Sequence, residues 1–224
     1  MGDPARRRRT GARRARRRTS AAAGRDTRVS ERLPDSLAER KRNIRRLVLH
    51  RRDVLLEEDR RARSAVITER LIALPELRSA KTVMAFWAFG SEVDTSGLIE
   101  ALHAAGKRVV LPRVDGREVA AIVYVPGDPT AATPFGAMEP TSAGIVRPTE
   151  IDVVIAPGVA FDRNGGRVGY GGGFYDRFLR TVRADTPVIG LAFAVQLVDE
   201  VPRGEHDRLV DVVVTEEELI RRGA

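Results

Sequence analysis

The chain contains no cysteine, a single tryptophan, and only three lysines (Lys41, Lys81 and Lys107) among 39 basic residues. Without cysteine there is no disulfide scaffold, no thiolate metal site and no cysteine nucleophile, and a reducing interior is compatible with the chain. Crossing a bilayer takes about 20 consecutive apolar residues, and no apolar run approaches that length. A twin-arginine export signal needs an apolar segment directly behind the arginines, whereas Thr19–Arg28 is polar and alanine-rich. No basic nucleic-acid face can be inferred for most of the chain either. The net charge is +8, but residues 1–28 carry eleven arginines against Asp3 and Asp26. Their local charge of +9 leaves −1 for residues 29–224. Nucleic-acid contact is thereby confined to nonspecific binding through residues 1–28.

Self-repulsion and the scarcity of apolar side chains make residues 1–33 an expected disordered, arginine-rich tail. It is an extension without function or a start placed too early, a polyanion-binding arm, or a targeting segment. The chain as a whole is 42% hydrophobic, enough to build a core, and residues 34–224 have the length of one α/β domain. Asp35 or Ser36 can cap a first helix, with Ile44, Val48 and Leu55 on one stripe. A second helix runs from about Arg61 to Ala73, closed by Pro75. Thr82–Phe89 reads as one buried parallel strand. Asp94-Thr95 can cap a helix that Gly106 ends. Strands follow at Arg108–Leu111 (stopped by Pro112), Val119–Val125, Ile151–Ala156, Pro187–Phe193 and Leu209–Val214. Residues 126–149 form a long loop, Phe174 to Val182 a helix, and Glu216–Arg222 a terminal helix. Helices alternating with doubly apolar strands predict a mainly parallel sheet covered by helices.

The densest chemical signal is Ile151–Leu179, IDVVIAPGVAFDRNGGRVGYGGGFYDRFL. A buried strand leads to glycines at 169, 171, 172 and 173, just before a helix. Glycine is needed where backbone N–H groups must approach phosphate oxygens, and a helix N-terminus adds partial positive charge. The spacing is neither Walker A nor a dinucleotide fingerprint, so a structural turn stays open beside a phosphate loop. Asp176 is a first-turn dipole partner or a magnesium ligand, and Asp207 is a surface-turn acid or a second one. Lys41 and Arg45, four apart on one helix face, form a solvated basic face or a pair of cations for phosphates. Trp87 is a core residue, or with Glu92 an aromatic wall and carboxylate suited to a flat heterocycle with N–H donors. His50 and His103 have no partners in sequence and receive no role.

Several segments in order carry a resemblance: Lys41–Arg45; Ser91–Thr95; Gly136–Pro140; Pro157–Asp162; Arg167–Asp176, reading RVGYGGGFYD; and His206-Asp207. Together they resemble the 5-formyltetrahydrofolate cyclo-ligase (5,10-methenyltetrahydrofolate synthetase) family from about Lys41 to Glu218. The resemblance implies a three-layer α/β/α sandwich similar to ribose-phosphate isomerases and CoA transferases. It also implies ATP- and magnesium-dependent cyclisation of 5-formyltetrahydrofolate, releasing ADP and phosphate, on a cytoplasmic monomer. Lys41, Arg45, Arg167, Gly169, Tyr170, Gly171, Gly172, Gly173, Phe174 and Tyr175 would contact ATP, with Lys41 and Tyr175 as catalytic candidates. Trp87, Glu92, Glu139, Tyr170 and Phe174 would hold the folate, and Asp176 and Asp207 the magnesium. Position 174, often tyrosine in that family, is phenylalanine here, so of positions 174 and 175 only Tyr175 carries a hydroxyl. Three alternatives remain: a relative with another substrate, a nucleic-acid-binding protein acting through the arginine tail, and, by fold analogy alone, a sugar-phosphate isomerase.

Overall fold

The computed structural model describes residues 36–134 and 136–223; the stretch 1–33 expected to be disordered lies outside the described residues. Helix α1 (Leu37–Asp53) starts at Ser36. The Ser36 hydroxyl accepts the Glu39 N–H, and the Glu39 carboxylate accepts the Ser36 N–H. This reciprocal pair satisfies two donors that every helix start leaves open. Helix α2 spans Glu57–Ile72. Pro75, expected to close it, instead opens a short helix α3 (Pro75–Ser79). A proline at a first helical position forfeits no bond, because that N–H has no acceptor within the helix.

Eight strands make the main sheet: β1 (Thr82–Met84), β2 (Arg108–Asp115), β3 (Glu118–Val123), β6 (Ile145–Val146), β7 (Val153–Ala156), β10 (Val188–Leu191), β11 (Val212–Val214) and β12 (Leu219–Arg221). Their order is β12-β11-β10-β7-β1-β2-β3-β6. The five central strands from β11 to β2 are parallel, and β12, β3 and β6 add antiparallel edges. The mainly parallel α/β sheet is therefore as expected. Two small hairpins lie apart, β4 (Thr130–Ala132) with β5 (Met138–Pro140) and β8 (Ala160–Phe161) with β9 (Arg167–Val168). The region 126–149 thus contains paired strands where one long loop was expected.

Every residue of β7 and β10 is buried, as a strand covered on both faces requires. On one face α2, α3 and α4 (Ser96–Ala104) lay Ile67, Leu71, Leu77, Leu98 and Leu102 over Val83, Ile155, Ile189 and Val214. On the other, Phe178, Leu179 and Val182 cover Val154, Val188 and Val213. This second helical layer is thin, because α5 (Phe174–Phe178) does not continue to Val182. The Thr181 hydroxyl and N–H both donate to the Phe178 carbonyl, at 2.7 and 2.8 Å, which closes a tight turn in place of another helical one.

Other departures have similarly local causes. The apolar run Thr82–Phe89 leaves the ladder after Met84 because Thr95 captures it. Its hydroxyl donates to the Phe86 carbonyl (2.6 Å) and accepts the Ala88 N–H (3.1 Å). Pro112 lies inside β2 rather than ending it. Tyr124 N–H donates to the Val109 carbonyl, so the odd-numbered residues of β2 face β3 and position 112 faces the other way. There β1 has already ended, opposite Val110, and the missing N–H costs nothing. Glu216–Arg222 is no helix. Thr215 Oγ1 accepts the Glu217 and Glu218 N–H groups (3.2 and 2.9 Å), and the turn delivers β12 to pair with β11.

Candidate active site

The loops behind β1, β7 and β10 meet at the carboxyl end of the sheet, where ligands of parallel α/β folds bind. Helix α1 lies across this end. Fully buried Val48 packs with Val159, Ala160, Val168 and Val201 of the hairpin region. Lys41, Arg45, Val48 and Arg52 share that face by their spacing of four, three and four residues. From Lys41 to Arg52 the helix rises about 16 Å, and three cations are set along this length.

At one end Lys41 Nζ is ion-paired with Asp207 Oδ2, which also accepts the Gly204 N–H at 2.6 Å. Arg45 Nε donates to the Gly169 carbonyl at 2.8 Å. Gly171 and Gly173 have φ of +107° and +66°, conformations that a side chain would strain. A Cβ on Gly172 would meet the Phe174 ring at 2.6 Å, and the Arg177 guanidinium lies 5.1 Å from that ring's centre. Buried Arg167 donates from Nη2 to Asp176 Oδ1 (2.7 Å) and from Nη1 to the Pro157 carbonyl (3.2 Å). The Arg208 N–H reaches the same Asp176 oxygen at 3.4 Å, so the chain brings Asp207 and Asp176 to neighbouring positions. Two buried polar atoms here have no hydrogen-bond partner: Arg167 Nε and the Tyr175 hydroxyl. Each such atom costs about 1–3 kcal/mol, and a bound ligand is the natural source of the missing bonds. Burial and the Glu92 charge hold the Tyr175 phenol protonated, well above the usual tyrosine range. The expected helix-dipole contribution is small, because α5 has five residues and few aligned peptides. Cations and loop N–H groups dominate this end.

At the other end Glu92 is only 8% exposed. Its Oε2 accepts the Phe89 N–H (3.1 Å) and its Oε1 the Tyr170 hydroxyl (3.0 Å). Desolvation pushes its carboxyl above the usual range, opposed by the Phe89 N–H, Arg52 and Tyr170. Arg52 donates from Nη2 to the Tyr170 hydroxyl and from Nε to Ser91 Oγ, both at 2.9 Å. Phe89 and Tyr170 have ring centres 5.0 Å apart. A narrow crevice, too tight in this form for a water molecule, is lined by Arg52, Phe86, Glu92, Val93, Gly158, Leu191 and Gln196. Trp87 is half-buried on the same loop, edge-on to Tyr124 at 5.3 Å. Glu139 stands apart from this cluster, its Oε1 accepting the Val114 N–H (3.1 Å) at the β2–β3 hairpin.

A sequence model of the 5-formyltetrahydrofolate cyclo-ligase family matches residues 37–216, a span that runs from the start of α1 past Asp207. The chain belongs to the 5-formyltetrahydrofolate cyclo-ligase family. It is 33% identical to the 5-formyltetrahydrofolate cyclo-ligase of Escherichia coli strain K12, over 75% of this chain and 96% of that one. The enzyme of the same name from Mycolicibacterium smegmatis is 38% identical, over 61% and 74% of the two chains. The solved structure of Aquifex aeolicus 5,10-methenyltetrahydrofolate synthetase superposes with a TM-score of 0.73 at 36% identity, covering 82% and 93%.

In this cyclo-ligase chain, sequence reasoning passed over three polar groups that shape the site. Arg52 was legible only as the continuation of the Lys41–Arg45 stripe. Fully buried Asp162 accepts the N–H groups of Asn164 and Gly166 on Oδ1 (2.9 and 2.7 Å) and that of Val201 on Oδ2 (2.8 Å). It pins the hairpin beneath α1. Buried Gln196 donates to the Gly158 and Val159 carbonyls, both at 3.0 Å, and fixes the floor of the crevice. Nothing near Gln196 in sequence marks it.

Proposed function

We propose that this chain cyclises 5-formyltetrahydrofolate to 5,10-methenyltetrahydrofolate, consuming ATP and releasing ADP and phosphate, with the site residues assigned as follows. The observation that carries the assignment is the course of α1. One helix face joins Asp207, through Lys41, and the glycine loop, through Arg45, to the Glu92 crevice, through Arg52. A triphosphate beside Gly169–Gly173 would then have its terminal phosphorus directed toward a ring seated near Glu92 and Trp87.

In this reading Lys41 leaves Asp207 for the transferring phosphoryl group, and Arg45 and the loop N–H groups of Gly171–Tyr175 hold the chain of phosphates. The formyl oxygen attacks the terminal phosphorus, ADP departs, and a phosphorylated imidate forms. N10 then adds to the imidate carbon, its proton is lost, and phosphate leaves with the former formyl oxygen. No protein nucleophile is required; positioning and charge stabilisation supply the rate. The unpartnered Arg167 Nε and Tyr175 hydroxyl are donors suited to charge that develops on phosphoryl or imidate oxygens. Glu92 accepts from ring N–H donors, flanked by Trp87, with Tyr170 and Phe174 as further folate contacts; Glu139, held at the β2–β3 hairpin, is not among them.

Among the described residues no group of three or more His, Asp or Glu side chains gathers for a metal. Asp176 and Asp207 still fit magnesium, which takes one or two carboxylates and completes its shell with phosphate and water. They would hold it, and when bound it would neutralise phosphate charge. We place the reaction on a cytoplasmic monomer; no helix among the described residues is long and apolar enough to cross a membrane. The test is to mix the purified chain with 5-formyltetrahydrofolate, magnesium and ATP and follow the methenyl chromophore. ATP-dependent product is expected, and its absence at micromolar enzyme would rule the proposal out.

A further inference from the structure

Arg52 is the one cation of α1 aimed at the Glu92 crevice. It is 3% exposed, and two of its nitrogens are committed, Nε to Ser91 Oγ and Nη2 to the Tyr170 hydroxyl. The third, Nη1, is buried without a partner. Ser91 is itself held by Asp53, through its hydroxyl, so the guanidinium plane is fixed from two sides and Nη1 cannot turn to find an acceptor. The crevice also contains Glu92, an acceptor, while its other polar side chain, Gln196, already spends its amide on the Gly158 and Val159 carbonyls and the Phe193 N–H. The crevice therefore offers one fixed donor next to one acceptor. That pattern complements a ring carbonyl adjoining a ring N–H.

We propose that Arg52 is a specificity-determining residue of the folate end, donating from Nη1 to the pterin ring carbonyl while Glu92 accepts from the adjoining ring N–H. The assignment rests on the proposed cyclo-ligase reaction and adds to it a reason for preferring the carbonyl form of the ring. An analogue in which an amino group replaces that carbonyl sets a donor against Arg52 and, because the adjoining ring nitrogen then carries no hydrogen, an acceptor against Glu92; a buried site rejects such mismatches strongly.

The experiment measures dissociation constants of 5-formyltetrahydrofolate and of its amino-for-carbonyl analogue, for the wild-type chain, Arg52→Met and Arg52→Lys. The wild type should prefer the carbonyl ring by about a hundredfold or more, the worth of two hydrogen bonds to charged groups. In Arg52→Met that preference should fall by about tenfold, leaving the part that Glu92 enforces, with the amino analogue binding no more weakly than before. Arg52→Lys retains the charge but not the fixed third donor, and should lose the same part of the preference; it serves as the reading should the Met variant fail to fold. Equal weakening of both ligands, or an undiminished preference in the variants, overturns the assignment. Turnover by the wild type separates the two claims. Methenyl product together with unchanged preference in the variants removes only Arg52, whereas no product removes the cyclo-ligase reading on which it rests.

Discussion

Replacing Lys41 by methionine should separate stability from activity, because the residue's bonds in the ligand-free chain are weak and its proposed role is not. Lys41 and Asp207 have side chains 20% and 18% exposed, so their ion pair is partly screened and contributes about 1 kcal/mol or less. Methionine keeps most of the stem's packing, and Asp207 retains the Gly204 N–H. For a chain of this size that loss lowers the melting temperature by roughly 2–4 °C. At the transition state the lost cation faces phosphoryl oxygens in a partly closed site, where one such donor is worth about 2.7–4 kcal/mol, or roughly a hundred- to a thousandfold in kcat. The assay is methenyl formation with ATP and folate varied separately, beside thermal unfolding of the same preparation. A kcat/KM within about threefold of wild type would refute the placement of Lys41 on the transferred phosphoryl group, since one charge-assisted bond exceeds that. So would a defect confined to the KM for folate.

Three further outcomes follow from the same geometry. Asp176→Asn should cut turnover by about a hundredfold and shift its magnesium dependence upward; an unchanged magnesium titration takes Asp176 out of the metal site. Glu92 binds its proton more tightly in the folded chain, because burial raises its carboxyl above 4.5. That contribution to stability is complete below the ordinary value and is lost as pH rises through the raised one. Melting temperatures of wild type should therefore fall relative to Glu92→Gln as pH increases from 4.5, and parallel curves would contradict the desolvated carboxylate. Deleting residues 1–28 should leave kcat/KM intact and abolish any salt-dependent binding to polyanions, with lost turnover as the opposing result.

The glycine segment was legible because its residue types answer to backbone geometry within a few positions. Gly171 and Gly173 do take positive φ. Lys41 and Arg45 were legible because helical spacing alone puts them on one face. Arg52 was hidden in a helix crowded with arginines, and its partner Tyr170 lies 118 residues away. Element ends were hidden for another reason. Thr95, Thr181 and Thr215 each spend a hydroxyl on nearby backbone, and such local bonds outcompete the apolar pattern that suggests a longer strand or helix. The terminal segment reads as a helix by composition. Pairing with β11 decides otherwise, burying Ile220 between exposed Leu219 and Arg221.

The central claim is that the glycine loop and the Glu92 crevice form one site in which the formyl oxygen meets the terminal phosphorus of ATP. The direct measurement is the fate of that oxygen. With an isotopically heavy oxygen in the formyl group, mass spectrometry of the released phosphate should find one heavy atom for each methenyl product formed. Phosphate carrying only solvent or ATP oxygen would mean that ATP is cleaved without attack by the formyl group, and would contradict the account.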